Sequence, residues 1–198
     1  MAKNKIQFQE GLSLPRFLAT YGTEEQCQQV LFKMRWPQGF RCPKCGHEHC
    51  YALQSRKLYQ CRRCRFQASL TQGTIFASTK LPLPTWMLAI YLVTQSKDGI
   101  SSLNLARTIG VSAKAALRLK HKLQQVMKNR DDQLVLRGLL LIDDAYWGGK
   151  RRDGKRGRAA TGKNPLIAAL SLTRKGHPLY LKLSHLSGFT KDEFAAWS

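Results

Sequence analysis

The sequence predicts an α+β multidomain chain: a small zinc ribbon near the start, a helix-turn-helix segment behind it, and a strand-rich α/β region to the end. Three observations predict this. Two Cys-x-x-Cys pairs, Cys42/Cys45 and Cys61/Cys64, stand fifteen residues apart. The stretch SSLNLARTIGVSAKAALRLKHKLQ places a glycine turn between two helical patterns. From Leu139 the pattern becomes that of strands, LLLIDDAYW, then PLIAALSL and PLYLKLS. The parts fall at 1–35 (a helical lead-in), 36–75, 80–130 and 136–198.

The ribbon reading comes from metal chemistry. Each Cys-x-x-Cys can fold into a tight knuckle with both thiolates inward. Two knuckles give four soft ligands suited to tetrahedral Zn²⁺. Disulfides, or a swap bringing in Cys50, His47 or His49, are the competing readings. Residues 36–75 are too few to build a sufficient apolar core unaided, so bound metal would supply folding free energy. Such cysteine usage fits a reducing compartment. With no signal-peptide pattern in MAKNKIQFQEG and no apolar run of membrane-spanning length, it predicts a cytoplasmic protein.

Charge narrows the partner. Among 198 residues, 33 are Lys or Arg and 12 are Asp or Glu, for a net charge of +21 and a pI near 10.2. Between Glu48 and Asp131 the one acid is Asp98. So uneven a balance calls for a polyanion, and nucleic acid fits best. A membrane surface fits poorly, because the basic residues form separate compact blocks and not one amphipathic helix. A ribosomal protein would be equally basic, so charge alone does not choose the function.

Each element follows from its own pattern. Thr23 and Gln26 form a capping-box pair, and Cys27, Val30, Leu31 and Met34 then make an apolar stripe that Trp36-Pro37 ends. Cys27 has no Cys-x-x-Cys partner and reads as a core thiol. Tyr51, Leu58, Tyr59 and Phe66 read as packing around the small ribbon core. Arg56, Lys57, Arg62, Arg63 and Arg65 form a basic rim beside the metal, either a solvated face or a phosphate-contacting one. Residues 67–82 are a Thr/Ser/Gly/Pro-rich connector. LPLPTWMLAIYLVTQS is a core helix with Pro84 in its first turn. Leu105, Ala106 and Ile109 face inward, Gly110 turns the chain, and Ser112 caps the next helix. Ala116, Leu119 and Leu123 continue the buried side. The helix after Ser112 is then the reading helix, with Lys114, Arg118, Lys120 and Lys122 as DNA contacts. A plain helical hairpin is the bland reading.

After the linker 131–138, Leu139–Ile142 reads as a buried strand running into Asp143 and Asp144. Carboxylates at a strand end can hold Mg²⁺ against phosphates. Alternation sends the two to opposite faces, so one can be a ligand and the other a neighbouring or surface group. Alternation does not say which, and a solvated Asp pair is the bland reading. Lys150–Lys163, with seven basic residues and one acid, reads as an exposed hairpin tip or loop. Its Lys150, Arg151, Arg152, Lys155, Arg156 and Arg158 would touch the DNA backbone, or merely solubilise a disordered loop. Two strands follow, joined at Thr173–His177, with Lys182 pointing outward between Leu181 and Leu183. Thr190 and Glu193 open a final short helix.

The paired cysteines Cys42, Cys45, Cys61 and Cys64, the stretch GTIFASTKLPLPTWMLAIYLVTQSKDGISSLNLARTIGVS, and the segments IDDAYWGGK, KRGRAATGKNPLIAAL and HPLYLKLSHLSGFT carry a resemblance. Together they resemble the ISXO2-like (IS1595) family of insertion-sequence transposases, from about residue 20 onward. The resemblance implies a DDE-type recombinase with an RNase H-like core, a zinc ribbon on the four cysteines, and Asp143 as first catalytic carboxylate, with Asp144 an adjacent acid outside the triad. In the family a second aspartate comes on a later strand and a third member on a helix beyond. Neither has a counterpart here, and Lys150 stands where relatives often carry an acid. The expectation is therefore a truncated form: an incomplete RNase H-like (DDE) α/β domain that binds DNA without a complete active site. Mg²⁺ or Mn²⁺ is expected in the complete enzyme alone. The implied partner is duplex DNA at the element's terminal inverted repeats, at a bacterial nucleoid, with possible self-association. The alternative is a non-catalytic zinc-ribbon/helix-turn-helix DNA-binding regulator. An RNA-binding zinc protein is a third class.

Overall fold

The computed structural model describes residues 11–95, 98–148 and 163–197. Lys150, Arg151, Arg152, Lys155, Arg156 and Arg158, and most of the basic loop they belong to, lie outside the described residues. The chain divides between Asn129 and Arg130 into two compact units, the first of them residues 11–129.

The first unit begins with helices α1 (Leu14–Tyr21) and α2 (Glu24–Arg35). The Thr23 hydroxyl accepts from the Gln26 amide, and the Gln26 side chain accepts from the Thr23 amide, closing the capping box that the sequence contains. The ribbon follows as an antiparallel sheet of β1 (Cys50–Leu53), β2 (Leu58–Cys61) and β3 (Gln67–Ser69), in that order. Three helices complete the unit: α3 (Leu83–Gln95), α4 (Ser102–Ile109) and α5 (Ala113–Asp132), the last of which runs three residues past the boundary.

Two cores result. The helical one gathers Phe17, Cys27, Leu31, Trp86, Leu105, Ala116, Leu119 and Leu123. Trp86 donates its indole N–H to the Thr79 hydroxyl at 2.8 Å, so its one polar group is satisfied. Gly110 ends α4 with φ 70°, a left-handed conformation that favours glycine, and α5 starts three residues on. The Ser112 hydroxyl accepts from the Ala115 amide and caps α5. The ribbon core is smaller: Trp36, Phe40, Cys42, Cys61, Ala68 and Leu70, with Phe32, Tyr59 and Phe66 against it. Tyr51 is not among them. It is 49% exposed on β1, which corrects its reading as a packing residue. The ladder explains this: Cys50, its neighbour, pairs with buried Cys61, so alternation turns Tyr51 outward.

One carboxylate joins the ribbon to the helices. Glu24 accepts from the Leu83 amide at 2.9 Å, at the first residue of α3, where the helix dipole favours a negative charge. Its other oxygen meets the Lys57 ammonium of the β1–β2 turn at 3.3 Å.

The second unit contains an antiparallel sheet of β4 (Leu139–Trp147), β5 (Asn164–Leu172) and β6 (Pro178–His185), in the order β4-β5-β6, followed by α6 (Lys191–Trp197). β4 is an edge strand among the described residues and not a buried one, and Asp143 and Asp144 lie mid-strand and not at its end. Register places Leu141, Leu170 and Leu181 side by side, and Asp143, Ala168 and Leu183 likewise. On this face Leu139, Leu141, Leu181 and Leu183 are 54–61% exposed. The opposite face carries fully buried Ile167 and Ala169, with Ser171 bonded to the Tyr180 backbone. Lys182 pairs with Ala169 and donates to the Leu134 carbonyl at 3.1 Å. It therefore points to the buried face, reversing the outward expectation. Its aliphatic stem covers Ala169 while its ammonium finds a backbone oxygen. Among the described residues no helix is long and apolar enough to cross a membrane.

Glu24→Ala removes both the bridge to Lys57 and the acceptor for the α3 N-terminus. The expected loss is about 1 kcal/mol, since the Lys57 side is solvent-screened. Denaturant unfolding of the zinc-loaded chain measures it, and Lys57→Ala should recover little of the same loss.

Candidate metal centre and nucleic-acid interface

The sulfur atoms of Cys42, Cys45, Cys61 and Cys64 all lie within 4.8 Å of one another. The Cys42–Cys64 and Cys45–Cys61 separations are 3.6 Å, and all six cysteines are free thiols, which sets disulfides aside. Ligands about 2.3 Å from a tetrahedral zinc stand roughly 3.8 Å apart, so the set fits that ion.

Both knuckles are built alike. In the first, the Gly46 amide donates to the Cys42 carbonyl and the Cys42 amide to the His47 carbonyl. In the second, the Arg65 amide donates to Cys61 and the Cys61 amide to Phe66. Each loop needs a left-handed residue just after its second cysteine. Gly46 supplies it at φ 73° and Arg65 at φ 59°. The glycine adopts it freely, while the arginine pays a steric cost there.

The thiols are unequal without metal. Burial would raise the Cys61 thiol, but amide hydrogen bonds from Cys64 and Arg63, with thiol contacts from Cys45 and Cys64, bring it down to about 7. For Cys45 the His47 amide favours the thiolate, yet contacts with Cys64, Cys61 and Cys42, together with burial, push it up to about 12. Cys61 thus ionises well before Cys45, and metal capture must expel a proton from Cys45. Cys27 lies outside this group. It is fully buried under Tyr21, its thiol donating to the Tyr21 carbonyl at 3.3 Å, and burial, then Glu24, push it up to about 11. Cys50 sits opposite Cys61 in the ladder, and burial raises its thiol too. Neither it nor the His47 and His49 rings belongs to the four-sulfur group.

The predicted basic residues separate into outward and engaged. On α5, Lys114 and Arg118 are exposed. Lys120 is half-buried and donates to the Ile100 carbonyl at 2.7 Å. Lys122 lies 5.7 Å above the Trp86 ring, with its ammonium 3.5 Å from the Ile75 carbonyl. The outer side of the helix also carries Leu117, His121 and Gln124, which charge alone does not single out. Their spacing from Lys114 and Arg118, at helical period, was the available signal. On the ribbon Arg63 is exposed, and the Arg62 guanidinium lies 4.6 Å over the Tyr51 ring.

In the second unit Asp143 is exposed, and its carboxylate accepts from the Asp144 amide at 2.9 Å. Asp144 is half-buried on the other face. Among the described residues, the four thiols are the one group of three or more metal-ligating side chains.

Residues 22–67 match the family described as the transposase zinc-ribbon domain, IS1595 type. A stretch of 133 residues, 65% of the chain, is 27% identical to an uncharacterized protein in transposable element ISH50 of Halobacterium salinarum. The match spans 44% of that relative's length. No solved structure matches the chain.

Purified chain is expected to contain about one zinc per molecule. Cys45→Ser should lose it and Cys50→Ser keep it, by elemental analysis. Zinc release should be promoted by acid, because each thiolate that regains a proton is lost as a ligand. Replacing the left-handed residues should shift stability in opposite directions: Gly46→Ala down by about 1 kcal/mol, Arg65→Gly up by a similar amount. Thermal unfolding of the zinc-loaded proteins reads both.

Proposed function

We propose that this chain is the DNA-binding part of an insertion-sequence transposase of the ISXO2-like (IS1595) type, recognising duplex DNA at the element's terminal inverted repeats. The observation that carries the reading is the transposase zinc-ribbon match over residues 22–67, coinciding with four sulfurs spaced for zinc. The helices behind the ribbon support it. α3, α4 and α5 form the three helices of a helix-turn-helix, with Gly110 as the turn and α5 as the reading helix. Lys114, Leu117, Arg118 and His121 are its outward side chains, and Lys114 and Arg118 are the direct contacts. Lys120 and Lys122 are tied to backbone oxygens and contribute field more than contact. Arg62 and Arg63 extend the cationic surface onto the ribbon. A chain of net charge +21 would act at the nucleoid in the cytoplasm.

The second unit is read as part of an RNase H-like domain, with Asp143 its first metal-binding carboxylate. Mg²⁺ or Mn²⁺ held there with further acids would support strand cleavage and transfer. The alternative reading takes the chain as a non-catalytic zinc-ribbon/helix-turn-helix DNA-binding regulator, which the ribbon and the helices behind it support equally well. The apolar face of the β4-β5-β6 sheet supports self-association.

Duplex DNA carrying the element ends should bind with an affinity that falls steeply with salt. Arg118→Ala should weaken binding and relax sequence preference by roughly 1–3 kcal/mol at one base pair if the guanidinium reaches a base edge. Salt-insensitive binding, or none to duplex, would overturn the reading. Nicking and strand-transfer assays with Mg²⁺ or Mn²⁺ should show equal background in the chain and in Asp143→Ala. Cleavage lost in that variant would place a working metal site on Asp143.

A further inference from the structure

The outer face of the ribbon carries a row of flat groups that neither the metal nor the core uses. The Arg62 amide donates to the His49 carbonyl at 3.1 Å, which extends the β1–β2 ladder past the Cys50–Cys61 pair. Cys50 and Cys61 point inward, so His49 and Tyr51 on one strand and Gln60 and Arg62 on the other point outward. The His47 and His49 rings stand 5.4 Å apart, and the Arg62 guanidinium lies 4.6 Å over Tyr51. His49 and Arg62 are exposed, and Tyr51 is 49% exposed. The nearby acid in sequence, Glu48, is already paired with Arg41 at 3.2 Å.

We propose that this face, His47, His49, Tyr51 and Arg62, is a stacking platform for unpaired bases of single-stranded DNA. In a duplex the π faces of the bases are covered by their neighbours, leaving edges and phosphates for a protein to touch. Flat side chains presented outward match the faces that strand separation exposes, and stacking on them tolerates any base. Arg62 serves twice: stacked over one face of the Tyr51 ring it fixes that ring and offers its own outer plane to a base, and its charge draws the adjacent phosphate. The platform rests on the reading of the chain as a DNA binder, but not on α5 reading a groove.

The test uses the full zinc-loaded chain, with fluorescence anisotropy on labelled oligodeoxythymidine and on a blunt duplex of scrambled sequence. Tyr51→Ala should weaken oligodeoxythymidine binding about ten-fold and leave the duplex nearly unchanged, with zinc content retained. Tyr51→Phe should behave as the parent, because the ring and not the hydroxyl stacks. Arg62→Lys should weaken single-strand binding while preserving its salt dependence. The parent protein supplies a check that needs no variant: abasic sites in place of the thymines keep every phosphate and should cost a similar factor. Equal losses on both DNAs in Tyr51→Ala, or full affinity for the abasic strand, would overturn the platform. Tighter binding of oligouridine than of oligodeoxythymidine would overturn its assignment to DNA. Single-strand binding without duplex binding would sink the groove-reading proposal and leave this one standing.

Discussion

Four sulfur atoms within 4.8 Å of one another set the terms for the first third of this chain. Thiols do not gather for apolar reasons alone, and the ribbon core they border has only six buried residues. Such a core cannot offset the conformational entropy of ordering some forty residues. The knuckles, the short strands between them and the side chains they aim outward therefore depend on what the sulfurs hold. The metal also explains why the two loops repeat one backbone pattern, down to an arginine forced into a conformation that glycine holds in the other.

Much of the first unit was legible because its signals are local. The capping box at Thr23, the inward face of Leu105, Ala106, Ala116, Leu119 and Leu123, and the glycine turn at Gly110 each declare themselves within a few residues. The four-cysteine group was legible from spacing. What escaped was decided by distant partners. Lys120 and Lys122 look free in the sequence, yet Ile100, Ile75 and Trp86 engage them from other elements. Tyr51 looks like core because it is aromatic, and only the pairing of Cys50 with Cys61 shows that it must turn away.

The second unit shows the same limit in a sheet. Alternation in PLYLKLS predicts that Lys182 and its flanking leucines face opposite ways, and they do. Which face is covered depends on β5, where Ile167 and Ala169 are buried, and on the Leu134 carbonyl that receives the lysine. An apolar pattern thus names the two faces of a strand without saying which one meets protein. Asp143 shares the more open face with Leu141 and Leu183's row, and Asp144 does not.

Glu24 bears on how this protein can be taken apart. The carboxylate sits at the start of α2, before the cysteines, yet it serves the β1–β2 turn through Lys57 and the first turn of α3 through Leu83. A graft that carried only residues 36–75 into another host would leave it behind. One that began at Gly22, where the family match also begins, would bring it along but strand the oxygen meant for α3. The ribbon is best exchanged together with α2, whose Phe32 packs on Trp36 and Tyr59 and whose Arg35 donates to the Leu70 carbonyl, and a chimera should supply α3 with a new acceptor at its N-terminus.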